Sequence, residues 1–311
     1  MQVGPREAVA LAGSAPARPR NAKRGPIGWT GLLFISPWLI GFLVFTLGPM
    51  IASLYLSLTD YTGLADPSFV GTANYDRMMQ DPLFWQSLYN TAYYTIFSVA
   101  GTLFFAFIVA LLLSTDLPGI GVFRTIFYIP VMVPAVANSL LWMLLFNDAG
   151  LVNRLLEGAG LPIFSWLGDP AMVKLVFISQ SIWGLGTIAM IFLAGLRDVP
   201  VTYYEAAELD GAGAFAKMRH ITLPLLSPVI FFNLVILIIN SFQVFTAAYV
   251  IGSGPVNSSL FYVLYLYNNA FNYFDMGYAS ALAWVLFLII LVFTAIQFRI
   301  SRRFIHYEVS Q

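Results

Sequence analysis

Residues 82–115 read PLFWQSLYNTAYYTIFSVAGTLFFAFIVALLLST, a run of 34 residues between Asp81 and Asp116 without a charged side chain. A helix that crosses about 30 Å of hydrocarbon needs about 20 apolar residues, so this run predicts a transmembrane helix. The same bias extends over the 311-residue chain, in which 59% of residues are hydrophobic and 10% are charged. Soluble domains carry about 25% charged residues. The composition therefore predicts an all-α polytopic membrane protein.

Five further charge-free runs, each longer than 20 residues, flank the first. They lie between Arg24 and Asp60, Arg124 and Asp148, Lys174 and Arg197, Arg219 and Asp275, and Asp275 and Arg299. The longest contains the turn Gly252-Ser253-Gly254-Pro255, so we expect one span before the turn and a re-entrant or surface loop after it. Pro130 and Pro134 should kink the third span, and Pro37 and Pro49 the first. The prediction is six transmembrane helices.

Positive charge is spread unevenly over the loops, and this predicts the orientation. With the N-terminus inside, twelve Lys and Arg residues are cytoplasmic and only Arg77, Arg154 and Lys174 are outside. The twelve are Arg6, Arg18, Arg20, Lys23, Arg24, Arg124, Arg197, Lys217, Arg219, Arg299, Arg302 and Arg303. Both termini are therefore expected in the cytoplasm.

Three segments follow from these patterns. Residues 1–28 are rich in Ala, Pro, Gly and Arg without periodicity and predict a flexible cytoplasmic tail. A cleaved signal peptide is the alternative, but the apolar run that follows is too long for one. Residues 29–304 form the transmembrane domain, with a cytoplasmic loop at 197–222, and residues 305–311 form a short cytoplasmic tail.

Composition also argues against several functions. The 15 basic and 15 acidic residues cancel, so no basic field favours nucleic acid. With no cysteine and only His220 and His306, the chain has little material for a metal site or a catalytic triad. Its three lysines, Lys23, Lys174 and Lys217, do not follow glycine, so an ATP-binding phosphate loop is missing. We therefore predict no catalytic residue and no metal ligand.

The cytoplasmic loop is the most polar part of the transmembrane domain. Residues 205–224 read EAAELDGAGAFAKMRHITLP. Val201 to Asp210 should form a helix, Gly211 to Gly213 a bend, and Ala214 to His220 a second helix that runs into the fifth span. A solvated connection would explain the charges, but their alternation with Ala, Leu and Phe also suits docking into a partner's groove.

At this loop the sequence resembles a known family. Glu205-Ala206-Ala207, Asp210-Gly211-Ala212 and Ile221-x-Leu223-Pro224 are similar to the signature loop of permease subunits of bacterial ABC importers. The likeness spans about residues 30 to 300 and is greatest to maltose, trehalose and glycerol-phosphate importers. It includes Phe69-Val70-Gly71, Asn74-Tyr75, Asp81-Pro82, Asn90-Thr91, Phe123-Arg124-Thr125, Pro130, Trp142, Gly150-Leu151-Val152-Asn153, Leu193-Ala194-Gly195-Leu196 and Gly254-Pro255.

The resemblance implies a type I ABC importer fold whose loop is a coupling helix in a cleft of the ATPase. Glu205 would pair there with a basic residue, and Met218 stands where the family usually has an aromatic residue. The implied coupling residues are Glu205, Ala206, Ala207, Asp210, Gly211, Phe215 and Met218. The implied partners are a second homologous permease, two ATPase subunits that bind ATP and Mg, and an extracytoplasmic sugar-binding protein.

Polar residues within the spans are candidates for the substrate path. Asn233, Asn240 and Gln243 follow i, i+7 and i+10, which places them within a sector of about 80° on one helix. Amides and hydroxyls also join neighbouring helices, and we favour that role for Asn233 and for the contact around Gly184 and Gly186. The path candidates are Asn240, Ser241, Phe242, Gln243, Asn138, Gln180 and Thr187.

An uncharged path suits a neutral polyhydroxylated solute, because each hydroxyl needs a hydrogen-bond partner when it leaves water. We therefore expect an ATP-driven sugar permease in the bacterial cytoplasmic membrane, with a disaccharide such as trehalose or maltose as substrate. An ion-coupled secondary sugar carrier is the main alternative, although the spans hold no ionisable group for a proton relay. A membrane-embedded enzyme is a weaker alternative.

Overall fold

A computed structural model describes residues 29–115 and 117–301, with side chains from residue 33 onward. The predicted tails at residues 1–28 and 305–311 lie outside these residues. The chain divides into two compact units, and the boundary along the sequence lies between Ala52 and Ser53.

The first unit, in its described part, is helical. Helix α1 (Trp29–Phe42) continues through a π-helical turn at Leu43–Leu47 into α2 (Gly48–Leu56). Pro49 has no N–H to donate. The widened turn lies directly before it, and in this turn the Gly48 N–H donates to the Leu43 carbonyl. Residues Leu33–Leu56 are long and apolar enough to cross a membrane.

The second unit begins with the last residues of α2, and a small sheet then leads into its longest helix. Strand β1 (Thr59–Asp60) pairs antiparallel with β2 (Ser68–Phe69). The next helices are α3 (Ala73–Gln80) and the 32-residue α4 (Pro82–Leu113). Asp81 precedes a proline and is extended, so α3 and α4 are separate helices.

The third and fourth spans are both broken. Helices α5 (Ile120–Met132) and α6 (Ala135–Leu145) meet at 97°, and α8 (Val173–Trp183) and α9 (Gly186–Asp198) meet at 43°. Val133, which precedes Pro134, is extended, so the predicted kink is a full break at Pro134. Helix α7 (Leu151–Gly158) lies between the two pairs. The described residues hold four segments long and apolar enough to cross a membrane, or the predicted six if each bent pair is one span.

The cytoplasmic loop and the last two spans complete the chain. The loop holds α10 (Val201–Leu209), α11 (Ala214–Lys217), a π-helical turn (Met218–Thr222) and α12 (Leu223–Leu225). Helices α13 (Ser227–Phe242) and α14 (Thr246–Ile251) form the fifth span. After the turn comes a 3₁₀ segment (Pro255–Asn257), then α15 (Tyr262–Tyr267), a π-helical turn (Asn268–Asn272) and α16 (Met276–Ser301).

These boundaries confirm most of the local predictions. The helix before Gly252 ends at Ile251, as the turn sequence predicts. The two loop helices are present, but the first ends at Leu209 and the second widens into a π-helical turn at Met218. The segment predicted as a re-entrant or surface loop is buried at Leu260, Phe261 and Tyr262.

Helix α4 organises the second unit. It contacts α8, α9, α13 and α15, and one apolar cluster surrounds each of its ends. Phe84, Phe177 and Tyr262 belong to the cluster near its start, and Phe192 and Leu226 to the cluster near its end. Helices in lipid are held by packing and hydrogen bonds, so α4 is the element against which these four helices are positioned.

Candidate functional site

The turn between α10 and α11 has a defined geometry. Gly211 has a φ of +76°, a conformation that residues with a Cβ rarely adopt. The N–H of Ala212 donates to the carbonyl of Ala207 at 2.8 Å, and the N–H of Gly211 donates to Glu208 at 3.0 Å. These two bonds form a Schellman motif, so Gly211 ends α10 and sets the direction of α11.

Side chains also tie the two short helices together. The Lys217 ammonium lies 2.5 Å from the Glu208 carboxylate and, by hydrogen bond and charge, holds the pKa of that carboxyl below its usual value. The Tyr204 hydroxyl lies 3.0 Å from the Thr222 hydroxyl, across the loop from α10 to the π-helical turn. The loop is therefore preformed, and a partner would not have to order it.

The predicted coupling residues lie together on this loop, most of them in solvent. Phe215 is 77% exposed and Leu209, the last residue of α10, is 90% exposed, although both are apolar. Glu205 is exposed and, among the described residues, its carboxylate has no hydrogen-bond or ion-pair partner. Ala206, Asp210 and Gly211 are exposed, and Ala207 and Met218 are half-buried. Free apolar side chains beside a free carboxylate have the properties of a docking surface.

The structure separates the path candidates of the fifth span. Asn240 and Gln243 are exposed, whereas Ser241 and Phe242 are buried. The Phe242 ring packs 5.3 Å from that of Phe293 and does not offer a free face. Gln243 is at the helix end, with φ −104° and ψ 19°.

Asn233 is on the predicted face but is fully buried. Neither of its amide atoms has a hydrogen-bond partner within the described part of the chain. The interhelical bond that we expected for this residue is therefore not formed there, and its burial separates it from Asn240 and Gln243.

The candidates of the third and fourth spans also differ in environment. Gln180 is buried and its amide donates to the Ser139 hydroxyl at 3.3 Å, which joins α8 to α6. Asn138 is half-buried, and Thr187 is exposed. At Gly186 a Cβ would lie 2.4 Å from the Phe127 carbonyl oxygen, so this glycine permits the close helix contact, whereas Gly184 is exposed.

A buried polar stripe on α4 was not predicted from the sequence. It comprises Ser87, Asn90, Thr91, Thr95, Ser98 and Thr102, and apart from the adjacent Asn90 and Thr91 their spacing of three or four residues places them on one face. The Asn90 amide donates to the carbonyls of Asn257 and Leu260 at 2.9 and 3.1 Å, and Thr91 accepts from the Tyr262 N–H at 2.8 Å. This stripe anchors the segment before α15, and its period was the signal that could have revealed it.

A polar network around Asp81 was also missed. The Tyr265 and Tyr278 hydroxyls both donate to the Asp81 carboxylate, the latter at 2.8 Å. Arg77 lies 2.6 Å from Asp275 and stacks 4.3 Å from the Tyr278 ring centre. Burial alone would raise the pKa of the Asp81 carboxyl, but the two tyrosines and two backbone N–H groups lower it below its usual value. The network joins α3, α4, α15 and α16.

No group of three or more His, Cys, Asp or Glu side chains that could hold a metal ion occurs within residues 29–115 and 117–301.

Comparisons with known proteins agree with this geometry. Residues 119–306 match the family described as the binding-protein-dependent transport system inner membrane component. Over 287 residues the chain is 42% identical to YesP of Bacillus subtilis (strain 168), named a probable ABC transporter permease protein, with 90% of this chain and 93% of YesP covered. Over 275 residues it is 33% identical to the trehalose/maltose transport system permease protein MalF of Thermococcus litoralis, with 88% and 93% covered.

A solved structure supports the fold. A bacterial ABC transporter involved in the import of the acidic polysaccharide alginate matches with a TM-score of 0.76 at 22% identity. The match covers 91% of this chain and 96% of the other. The helix order described above is therefore the fold of an ABC importer permease.

Proposed function

The chain belongs to the family of binding-protein-dependent transport system inner membrane components and is a permease subunit of a sugar ABC importer, and we propose that it moves a neutral disaccharide by alternating access. Subunits of this kind are transport components and not enzymes. ATP and Mg are bound by a separate ATPase subunit, two copies of which pair with this chain and a second homologous permease. Both termini lie in the cytoplasm, and the binding protein delivers sugar from outside.

The preformed, exposed loop between α10 and α12 is the observation that carries this proposal. Its free Glu205 carboxylate and exposed Phe215 are suited to a cleft in the ATPase, where the carboxylate pairs with a basic residue. The Schellman turn at Gly211 and the bond between Lys217 and Glu208 keep the loop rigid. A rigid element transmits movement of the ATPase to α13, whose start lies at Ser227.

The nature of the substrate follows from the exposed polar groups. Asn240, Gln243 and Thr187 offer amide and hydroxyl groups, which hydrogen-bond sugar hydroxyls without requiring charge. An anionic substrate would call for Arg or Lys along the path, which the spans lack away from their ends. The name of the relative MalF favours trehalose or maltose. A test panel of trehalose, maltose, lactose and sucrose covers this class.

The role of Glu205 can be tested by reversing its charge. The chain is expressed with its second permease and ATPase, and the complex is assayed in proteoliposomes with sugar-loaded binding protein. Removing one partner of a desolvated ion pair costs about 3–5 kcal/mol, so Glu205→Lys should abolish sugar-stimulated ATP hydrolysis while the protein still folds and inserts.

Glu157→Lys makes the same charge change on α7, at the opposite end of the spans, and should retain the ATPase when the complex is purified. Normal sugar-stimulated hydrolysis by Glu205→Lys would remove Glu205 from the coupling mechanism.

A further inference from the structure

Four aromatic rings form a cluster at the outward end of the fifth span, which we name the outer aromatic cluster. It comprises Phe245 and Tyr249 around α14, and Tyr267 and Phe271 around the end of α15. The Tyr267 ring centre lies 5.1 Å from that of Phe245, 5.4 Å from that of Tyr249 and 4.9 Å from that of Phe271. Tyr249 is 55% and Phe271 54% exposed, so both rings are accessible to a ligand, and both pack against the Tyr267 ring.

Two amides flank these rings. Asn268 and Asn272 follow Tyr267 and Phe271 by one residue each, on the π-helical turn that extends α15. The Asn272 amide donates to the Asn268 side-chain oxygen at 2.8 Å. This bond uses one N–H of Asn272 and the oxygen of Asn268, so the two amides keep three N–H donors and the Asn272 oxygen as an acceptor. π-Helical turns occur frequently at functional sites because they change the direction of side chains.

The combination of rings and amides favours one class of ligand. A sugar ring has an apolar C–H face that packs on an aromatic ring, and hydroxyl groups around its edge that need hydrogen-bond partners. No Asp, Glu, Lys or Arg occurs between Arg219 and Asp275. Asp275 itself is paired with Arg77 at 2.6 Å. A neutral polyhydroxylated ring therefore fits this surface better than an ion does.

The cluster is continuous with the path candidates. Phe245 lies two residues after Gln243, where α13 has ended and α14 has not begun. Gln243 also lines a groove of about 370 Å³ together with Val263 and Leu266 of α15, the helix that carries Tyr267. Because α13 starts at the cytoplasmic loop, the cluster lies on the outer side of Asn240 and Gln243.

We propose that the outer aromatic cluster, with Asn268 and Asn272, is an outer subsite on which a sugar ring stacks before it reaches Asn240 and Gln243. This inference rests on the proposed function and adds a second set of residues to it. The cluster holds the sugar as it leaves the binding protein, and so reduces its return to the outside.

The test substitutes leucine for an exposed aromatic residue of the cluster, which removes the flat ring but keeps an apolar side chain. Tyr249→Leu and Phe271→Leu remove the flat face, whereas Tyr249→Phe and Phe271→Tyr retain it. Phe104→Leu is the matched control, because Phe104 is 60% exposed on α4 and lies outside the cluster. Each complex is reconstituted with its permease and ATPase partners, and the sugar imported per ATP hydrolysed is measured with the panel defined above.

We expect each Leu variant to import about three- to ten-fold less sugar per ATP, the range expected for loss of one stacked ring. The two aromatic exchanges and Phe104→Leu should match the wild type, and hydrolysis stimulated by loaded binding protein should persist in all variants.

If Tyr249→Leu and Phe271→Leu import as much sugar per ATP as the wild type, the proposed subsite is overturned. The rings would then be part of an aromatic belt at the membrane surface. Loss of the second permease on purification of these variants would overturn it in favour of a subunit contact. Failure of the wild-type complex to import any sugar of the panel would overturn the proposed function itself.

Discussion

Gly277, at the start of α16, shows how closely single residues are fitted in this protein. A Cβ at this position would lie 2.1 Å from the Thr59 carbonyl oxygen, which belongs to the backbone of β1 and cannot rotate away. The Gly277 N–H also donates to the Tyr61 carbonyl at 3.0 Å. This glycine therefore permits α16 to begin against β1.

Gly277→Ala should lower stability by about 1–3 kcal/mol, the usual cost of overpacking. This corresponds to a fall of at least about 2 °C in the thermal unfolding midpoint in detergent.

Gly121→Ala is the matched control, because nothing lies within 4 Å of a Cβ at that position. On the exposed surface of α5, alanine favours the helix by about 0.5–1 kcal/mol and should not lower the midpoint. An unchanged midpoint for Gly277→Ala would show that β1 and α16 do not meet as described.

Residue environments were the part that the sequence predicted least well. Helical periodicity placed Asn233 and Asn240 on one face, but it could not tell which part of that face the neighbouring helices cover. Phe242 is buried for the same reason, since its environment depends on α16 and the position of Phe293. Arg77 and Asp275 are 198 residues apart, and no local pattern predicts their pairing.

At the scale of elements, the Asp81 network holds four helices and should make their packing depend on pH. The carboxylate accepts bonds from Tyr265 and Tyr278, and Arg77 and Asp275 are the other charged groups of the network. The pKa of the Asp81 carboxyl in the folded protein is below the 3.8 of a free aspartate, so the unfolded chain binds the proton more readily. The stabilisation by the ionised carboxylate is therefore complete above the unfolded pKa of 3.8 and is lost as the pH falls through the lower pKa of the folded protein.

Asp81→Asn removes this titration. We expect the thermal midpoint of the wild type to exceed that of Asp81→Asn at pH 6, and the difference to shrink towards pH 3. Asp66→Asn, in the exposed loop between β1 and β2, is the control and should follow the wild type. A difference between wild type and Asp81→Asn that stays constant from pH 6 to pH 3 would contradict a role for the ionised carboxylate.

Element boundaries could largely be read from the sequence. Proline restricts the residue before it, so Pro134 predicted a kink where the structure has a full break, and Gly252 with Pro255 predicted the end of the helix before them. The 97° angle between α5 and α6 was not predictable, because it depends on what each half-helix packs against. The burial of the segment around the start of α15 was missed because its partners, Asn90 and Thr91 of α4, lie 170 and 171 residues earlier in the sequence than the residues they bind.

At the scale of the whole molecule, charge-free runs and short motifs carried the identification. Six such runs predicted the spans because hydrocarbon excludes charge over a fixed thickness. The loop motif at Glu205, together with the ordered set of shorter motifs along the chain, predicted the family by resemblance. The identity of the sugar was not predictable, because amide groups such as those of Asn240 and Gln243 can hydrogen-bond the hydroxyls of any neutral sugar.

Composition of the native complex tests the central claim most directly. Membranes are dissolved in mild detergent, the chain is purified, and co-purifying proteins are identified by mass spectrometry before an ATPase assay. We predict a second six-span permease and an ATPase with a phosphate loop, with hydrolysis stimulated by sugar-loaded binding protein. Recovery of the chain alone, stable and able to transport sugar along an ion gradient, would contradict the account and identify a secondary carrier.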